Sequence, residues 1–228
     1  MYNTAKLITA GLCGLALTAC GGDGGDDGNT VARGAVEACF TVPETVSFNV
    51  NYFGADGTGA VGGFYRRMVG PTTFNGQAAT QSRTVTYVPD RPLDEKSSVS
   101  VYWAVTDSGI ALLGNTKTQA NEPDNSYISS PAAVIPLNIQ PGQSVNLVSS
   151  QVVSASFDAP ASFTFVGLET LTLSGKTFSD VCHFRVQGTP AGATGPVTND
   201  LWYASGYGEI QWGYVPDEHG SVFRYGVN

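Results

Sequence analysis

Positive charge is scarce in this sequence of 228 residues, which has 11 Lys and Arg against 19 Asp and Glu and a net charge of -8. Proteins that hold nucleic acid place clustered cations against the phosphates, and no run of Lys or Arg is present here. Charged residues of both signs make up only 13% of the chain, about half of the roughly 25% that is usual. The composition therefore excludes a basic nucleic-acid binder.

Signatures of catalysis are also missing. The chain has no G-x-S-x-G elbow, no H-E-x-x-H motif and no P-loop. Of its two histidines, His183 alternates onto the face opposite Cys182 and Phe184, and His219 lies in a polar turn, so we expect both to be exposed or hairpin residues rather than catalytic ones. Two cysteines and one neighbouring histidine are too few for a zinc site. We expect no enzyme activity, no metal and no cofactor.

The first 19 residues have the layout of a secretory signal. Lys6 precedes an apolar stretch of about a dozen residues, which is too short for a membrane-spanning helix of about 20 apolar residues. The segment Leu17-Thr18-Ala19-Cys20 resembles the lipobox of bacterial lipoproteins. That resemblance implies that Cys20 is acylated with fatty chains such as palmitate and becomes the first residue of the mature chain. Residue 21 is Gly rather than Asp, which in a Gram-negative lipoprotein implies transport to the outer membrane.

Residues 20–30 form the acylated cysteine and a Gly/Asp-rich tether. Ten residues of such a coil reach roughly 17 Å, enough to lift a domain off the lipid headgroups. Cys13 leaves with the signal and Cys20 carries lipid, so the exported domain, residues 31–228, keeps Cys39 and Cys182. In an oxidising envelope these two predict one disulfide, and two free buried thiols are the alternative.

From Val31 onward, apolar and polar residues alternate with a period of two, which predicts half-buried strands. Hairpin turns separate them, including Asp107-Ser108-Gly109, Pro141-Gly142 and Ser174-Gly175. Prolines in residues 114–162 predict a long connection between two halves, 36–113 and 163–228. The fold class is all-β: a single domain built as a strongly curved antiparallel meander, open or barrel-like, with about ten to twelve strands.

Two stretches near the C-terminus, residues 171–182 and 201–210, resemble the closing hairpins of uncharacterised bacterial envelope lipoproteins. The second stretch reads Leu201-Trp202-Tyr203-Ala204-Ser205-Gly206-Tyr207-Gly208-Glu209-Ile210. The resemblance implies an open, highly curved antiparallel sheet, distantly similar to lipid-binding half-barrels. Where those relatives often have Val and Lys after the last Gly, this chain has Glu209 and Ile210. Gly206 and Gly208 permit a bulge or a sharp bend in the strand.

Aromatic residues are dense at the C-terminus, with seven in residues 201–228. Such side chains can stack on sugars, line an apolar pocket or fill a core. Neighbours on a strand face opposite sides, so at most one of Trp202 and Tyr203 faces the core. The candidate ligand contacts are Trp202, Tyr203, Tyr207 and Trp212. Arg66 and Arg67 are predicted to be ordinary surface residues, with contact to lipid headgroups as the alternative.

Three functions fit these observations. The leading hypothesis is a lipid-anchored envelope protein, held to the membrane by its N-terminal lipid, that binds a hydrophobic ligand or another envelope component. The second is a carboxylate-dependent hydrolase of envelope glycans, since paired carboxylates distant in the chain are not visible in a sequence. The third is a structural or assembly lipoprotein that has no ligand.

Overall fold

The computed structural model describes residues 31–32, 34–53, 65–88, 91–119, 125–147, 150–152, 155–157, 161–189, 194–214 and 224–227. They form one short helix and fourteen strands. The elements are α1 Ala35–Phe40, β1 Val46–Phe53, β2 Tyr65–Phe74, β3 Gln77–Val88, β4 Arg91–Thr106, β5 Gly109–Gln119, β6 Asn125–Ile135, β7 Ser144–Leu147, β8 Ser150–Val152, β9 Ala155–Phe157, β10 Ala161–Leu173, β11 Lys176–Gly188, β12 Val197–Ala204, β13 Gly208–Tyr214 and β14 Arg224–Val227. The signal, Cys20, the tether and His219 lie outside the described residues.

Twelve strands form one sheet in the order β6-β5-β4-β3-β2-β1-β14-β13-β12-β11-β10-β7, and β8 and β9 form a separate pair. Every pairing is antiparallel. The first and last strands, β1 and β14, pair with each other and so join an N-terminal meander to a C-terminal one. The edge strands β6 and β7 contact each other, as expected for a sheet that curls over its own core. The prediction of an all-β, curved antiparallel meander is confirmed.

Tight turns set the register of the hairpins. Asn75 and Gly76, between β2 and β3, have φ angles of 49° and 79°. Ser174 and Gly175, between β10 and β11, have 49° and 82°. Two consecutive residues with positive φ match the twist of antiparallel strands, and Asn and Gly tolerate that conformation best. The Ser174-Gly175 turn therefore lies where the sequence predicts it.

The division of the chain into halves differs from the prediction. The N-terminal meander continues through β5 and β6 to Ile135, so residues 114–119 and 125–135 belong to paired strands rather than to a long connection. Pro131 lies within the edge strand β6, where a missing backbone N–H is tolerated because only one side of the strand is paired. The described strands number fourteen, with twelve in the main sheet, against the ten to twelve expected.

Helix α1 lies against the inner face of the sheet and contributes to its core. Phe40, 1% exposed, stacks on Tyr203 with ring centroids 4.5 Å apart and meets the edges of Phe184 and Trp103. The Trp103 indole Nε1 donates a hydrogen bond of 2.9 Å to the backbone oxygen of Phe40. The chain thus fills this part of the inner hollow with its own side chains.

The predicted disulfide is present and secures this helix. Cys39 on α1 is bonded to Cys182 on β11, with the two Cα atoms 6.1 Å apart and a sequence separation of 143. Both cysteines are buried in the main core. The crosslink therefore fastens the N-terminal helix to the C-terminal half of the sheet.

Candidate functional site on the outer face of the sheet

Five side chains of β10, β11 and β12 form a polar group on the face opposite the core, which we call the outer-face cluster. Its members are Glu169, His183, Arg185, Asp200 and Trp202. Alternation along β11 produces this placement: Cys182, Phe184 and Val186 are buried, so the residues between them point outward. The register then sets His183 opposite Trp202 and Arg185 opposite Asp200.

His183 lies between two carboxylates. Its Nδ1 is 3.2 Å from Glu169 Oε1, and its Nε2 is 3.1 Å from Asp200 Oδ1. The side chains of His183 and Asp200 are 14% and 13% exposed, whereas that of Glu169 is 39% exposed. Nε2 is buried and is not aligned with Asp200 for a regular hydrogen bond, so this approach is an electrostatic contact.

Trp202 and Arg185 complete the cluster. The indole of Trp202 stacks on the His183 ring, with centroids 4.6 Å apart and planes inclined by 19°, and its Nε1 donates to Glu169 Oε1. Arg185 approaches Asp200 with two nitrogens: Nε donates to Oδ1 at 2.9 Å and Nη2 to Oδ2 at 3.3 Å. Such a paired contact fixes the carboxylate in both position and orientation.

The electrostatics keep Asp200 ionised. Burial by itself raises the pKa of this carboxyl group, but contacts with His183 and Arg185 outweigh it, and the net pKa is lowered. In return, the hydrogen bond to Asp200 raises the pKa of the Arg185 guanidinium. Asp200 is therefore suited to accept hydrogen bonds as a carboxylate and not to act as a general acid.

The structure separates the four aromatic residues predicted as ligand contacts. Tyr203 and Trp212 are 5% and 6% exposed and belong to the core. Tyr207 is half-buried beside Phe48 and Phe178. Trp202 lies on the outer face, so it and Tyr203 face opposite sides as the alternation requires. They do not share one surface, and Trp202 is the one placed in the outer-face cluster.

Two predictions about charged residues are wrong. His183 is largely buried between carboxylates rather than exposed in a hairpin, because its strand is flanked on both sides by β10 and β12. Arg67 is not a surface residue: it is 6% exposed and forms an ion pair with Glu209, whereas its neighbour Arg66 is exposed, as predicted. The carboxylates of Glu169 and Asp200 were not singled out from the sequence, because their partners become neighbours only through strand pairing.

Two kinds of feature are absent from the described residues. In the part of the chain that the structure describes, no group of three or more His, Cys, Asp or Glu side chains is arranged to share a metal ion. Within the same residues, no helix has the length and apolar character needed to cross a bilayer.

No family of known proteins matches the chain, and no curated protein does so either. Among solved structures, a "putative exported protein with YmcC-like fold" from Bacteroides fragilis is similar with a TM-score of 0.45 and 11% identity, over 82% of this chain and 97% of that one. A "putative lipoprotein" from Parabacteroides distasonis is similar with a TM-score of 0.47 and 10% identity, over 83% of this chain and 96% of that one. Both scores are below 0.5, so the likeness is a loose one and assigns no activity.

Proposed function

We propose that the protein is a lipid-anchored binding protein of the bacterial cell envelope that contacts another envelope component through the sheet surface around Trp202. The lipobox-like segment ending at Cys20 and the Gly/Asp-rich tether support the anchor. The disulfide between Cys39 and Cys182 supports an oxidising compartment. If the source is Gram-negative, Gly21 supports the outer membrane as the destination.

The positions of the aromatic residues are the reason for proposing the outer surface rather than the inner hollow. Phe40 and its neighbours occupy the inner hollow, and Tyr203 and Trp212 belong to the core, which leaves less of the hollow for a hydrophobic ligand. Trp202 lies outward beside Arg185, and Trp and Arg are the residue types that contribute most at protein interfaces. A contact on the outer face is therefore favoured over a ligand inside the sheet.

The anchor is tested by the change Cys20→Ala and by treating cells that make the wild type with globomycin. We expect Cys20→Ala to abolish labelling by radioactive palmitate. Globomycin blocks the cleavage that follows acylation, so it should instead leave a labelled precursor that keeps its signal. A Cys13→Ala variant is the matched control and should behave as the wild type. Unchanged palmitate labelling of the Cys20→Ala variant would contradict the anchor.

The contact surface is tested by photo-crosslinking in intact cells with a light-reactive amino acid at Thr198, which precedes Asp200 on the same face of β12 and keeps the outer-face cluster intact. We expect a discrete crosslinked product at position 198 and none at Thr73, an exposed residue of β2. Adding Trp202→Ala should remove the product at 198. Equal products at both positions, or no effect of Trp202→Ala, would argue against this surface.

Native mass spectrometry of the purified protein tests the other form of the hypothesis, in which a hydrophobic ligand lies inside the sheet. A lipid that copurifies at one molecule per chain would favour a hydrophobic ligand inside the sheet. A protein that has no copurifying ligand and still crosslinks at position 198 would favour a contact on the outer surface. If neither a bound ligand nor a crosslinked product is found, the result favours the structural role.

Glycan hydrolysis is the second candidate, and the two carboxylates that flank His183 are the observation in its favour. In glycosidases one carboxyl group acts as an acid and the other as a base or nucleophile. Because the pKa of Asp200 is lowered, it would take the second role. Glycan release from purified cell walls should then disappear in both Glu169→Gln and Asp200→Asn, whereas a protein that only binds releases none in any form.

A further inference from the structure

The main chain that follows the tether is fastened to the domain by one side chain. Val31 donates its backbone N–H to Gln140 Oε1 at 2.9 Å, and Gln140 Nε2 donates to the backbone oxygen of Val31 at 3.2 Å. The side-chain amide thus pairs with both polar groups of one residue, as a neighbouring strand does. Val31 also packs against the main core. The point where the tether meets the domain is therefore fixed beside Gln140.

Gln140 belongs to residues 136–143, which connect β6 to β7 and which we call the root loop. Ile139, 2% exposed, fixes this loop to the core. At the other end of the loop, the Gly142 N–H donates a hydrogen bond of 2.7 Å to the backbone oxygen of Phe165 on β10. The root loop is thus held firmly at the end of the sheet where β6 finishes and β7 begins.

Exposed apolar side chains flank the root loop. Among the described residues, the large hydrophobic side chains that are more than a third exposed are Val105, Ile128 and Val166. Val166, 38% exposed, directly follows the residue of β10 that binds the loop. Val105, 36% exposed, lies two strands away from Ile135, the residue directly before the loop. Two of these three side chains therefore lie near the point where the tether enters.

The sequence around the root loop carries no charge. Residues 125–157 contain no Lys, Arg, His, Asp or Glu, although 13% of the whole chain is charged and its net charge is -8. Repulsion between an acidic domain and anionic lipid headgroups is smallest where the facing surface is uncharged. Asp107, in the exposed turn after Val105, bounds the uncharged surface on that side.

We propose that the root loop, flanked by Val105 and Val166, is the surface with which the domain rests on the bilayer that holds its acyl chains. This inference rests on the lipid anchor proposed above. The tether reaches roughly 17 Å, which keeps the root loop close to the headgroups. Tethering also makes the encounter intramolecular, so a contact too weak to hold the free domain on a membrane becomes populated. The opposite end of the sheet then faces away from the bilayer.

Photo-crosslinking in vesicles tests this orientation. The acylated full chain, purified from the membrane fraction, is placed in vesicles of phosphatidylethanolamine and phosphatidylglycerol with a light-reactive amino acid at Asn138, an exposed residue of the root loop. Thr118, exposed at the far end of β5 and roughly 26 Å from Ile110, is the matched control position. We expect mass spectrometry to find lipid adducts several-fold more abundant at 138 than at 118.

Three results would overturn the bilayer contact: equal lipid adducts at the two positions, more at 118, or none at either. An adduct between two chains at 138 in place of a lipid adduct would overturn it too, because it would identify a second copy as the occupant. The intact mass separates this proposal from the anchor. A chain without fatty acyl groups removes both, whereas an acylated chain that fails the comparison removes only the bilayer contact.

A charge placed on the proposed surface gives the second readout. Val166→Glu brings a carboxylate toward the anionic headgroups, so we expect it to lower the lipid adduct at 138 several-fold. Thr118→Glu adds the same charge at the far end and should leave the adduct unchanged. Urea unfolding confirms that both variants are folded before they are compared. Equal adducts in the two variants would show that the surface beside Val166 does not face the bilayer.

Discussion

Arg67 on β2 and Glu209 on β13 form an ion pair inside the fold, with Arg67 Nη1 2.6 Å from Glu209 Oε1 and their side chains only 8% and 5% exposed. The same nitrogen donates to the backbone oxygen of Glu209 at 2.8 Å, and Arg67 Nε donates to Thr84 Oγ1 at 3.0 Å. The pair joins the N-terminal and C-terminal meanders from inside the curved sheet. Nearby, burial and then the charge of Glu209 raise the pKa of the Tyr203 phenol, an effect that Arg67 partly offsets.

Removing one partner of this pair should be costly. Glu209→Leu leaves a buried guanidinium without its counter-charge, and we expect a loss of about 3–5 kcal/mol in the free energy of unfolding. Arg67→Met combined with Glu209→Leu removes both charges and should recover most of that loss. Urea unfolding measures the free energy of unfolding of the wild type, of Glu209→Leu and of the double variant. Arg66→Ala, at an exposed neighbouring position, is the control and is expected within about 0.5 kcal/mol of the wild type. A double variant as unstable as Glu209→Leu would contradict this account.

The ion pair also shows what the sequence does not reveal. The alternation of β2 places Arg66 outward and Arg67 inward, but charged residues are rarely buried unless paired, so both were predicted at the surface. The partner of Arg67 lies 142 residues away in sequence. The two residues become neighbours only because the sheet curves and brings β2 and β13 together, and no local sequence pattern predicts this contact.

Local rules predicted the features that depend on neighbouring residues. Period-two alternation indicated the all-β class, turn residues located the Ser174-Gly175 hairpin, and the count of cysteines paired Cys39 with Cys182. Helix α1 has six residues, too few for a helical period to stand out, so its place in the core was missed. The outer-face cluster was missed for a different reason, since it depends on the register of three strands.

Phe40 is expected to be the most sensitive position of α1. Truncation by Phe40→Ala leaves a cavity among Trp103, Phe184 and Tyr203, and we expect a loss of about 3–5 kcal/mol. Phe40→Leu retains most of the volume and should cost less. Ala38→Ser, on the exposed side of the same helix, is the control and should unfold almost as the wild type does in urea. Equal urea midpoints for Phe40→Ala and Ala38→Ser would show that the helix contributes little to the core.

The disulfide should contribute strongly because it closes a long loop. Replacing both Cys39 and Cys182 by Ser is expected to lower the free energy of unfolding by about 2–5 kcal/mol. Peptide mapping without reduction should recover the two cysteines in one crosslinked peptide pair. Two thiols that react with an alkylating reagent in the native protein would contradict the crosslink.

Asp200 should give the protein an acid-sensitive component of stability. Its folded pKa is lowered, so the folded state binds fewer protons at this site than the unfolded state does. The stabilisation is therefore fully present above the ordinary range of carboxyl groups, near pH 4, and is lost as the pH falls through the folded pKa. Asp200→Asn lacks this titration and should lose less additional stability on acidification.

Urea unfolding from pH 7 to pH 2.5 measures this difference. At pH 7, Asp200→Asn should be less stable than the wild type because His183 and Arg185 lose their shared anion. The two curves should then converge as acid neutralises Asp200 in the wild type. Glu44→Gln, at an exposed position, is the control for removing a carboxylate elsewhere, and it should stay parallel to the wild type. Parallel curves for Asp200→Asn would mean that the contacts of Asp200 with His183 and Arg185 do not favour its ionised form.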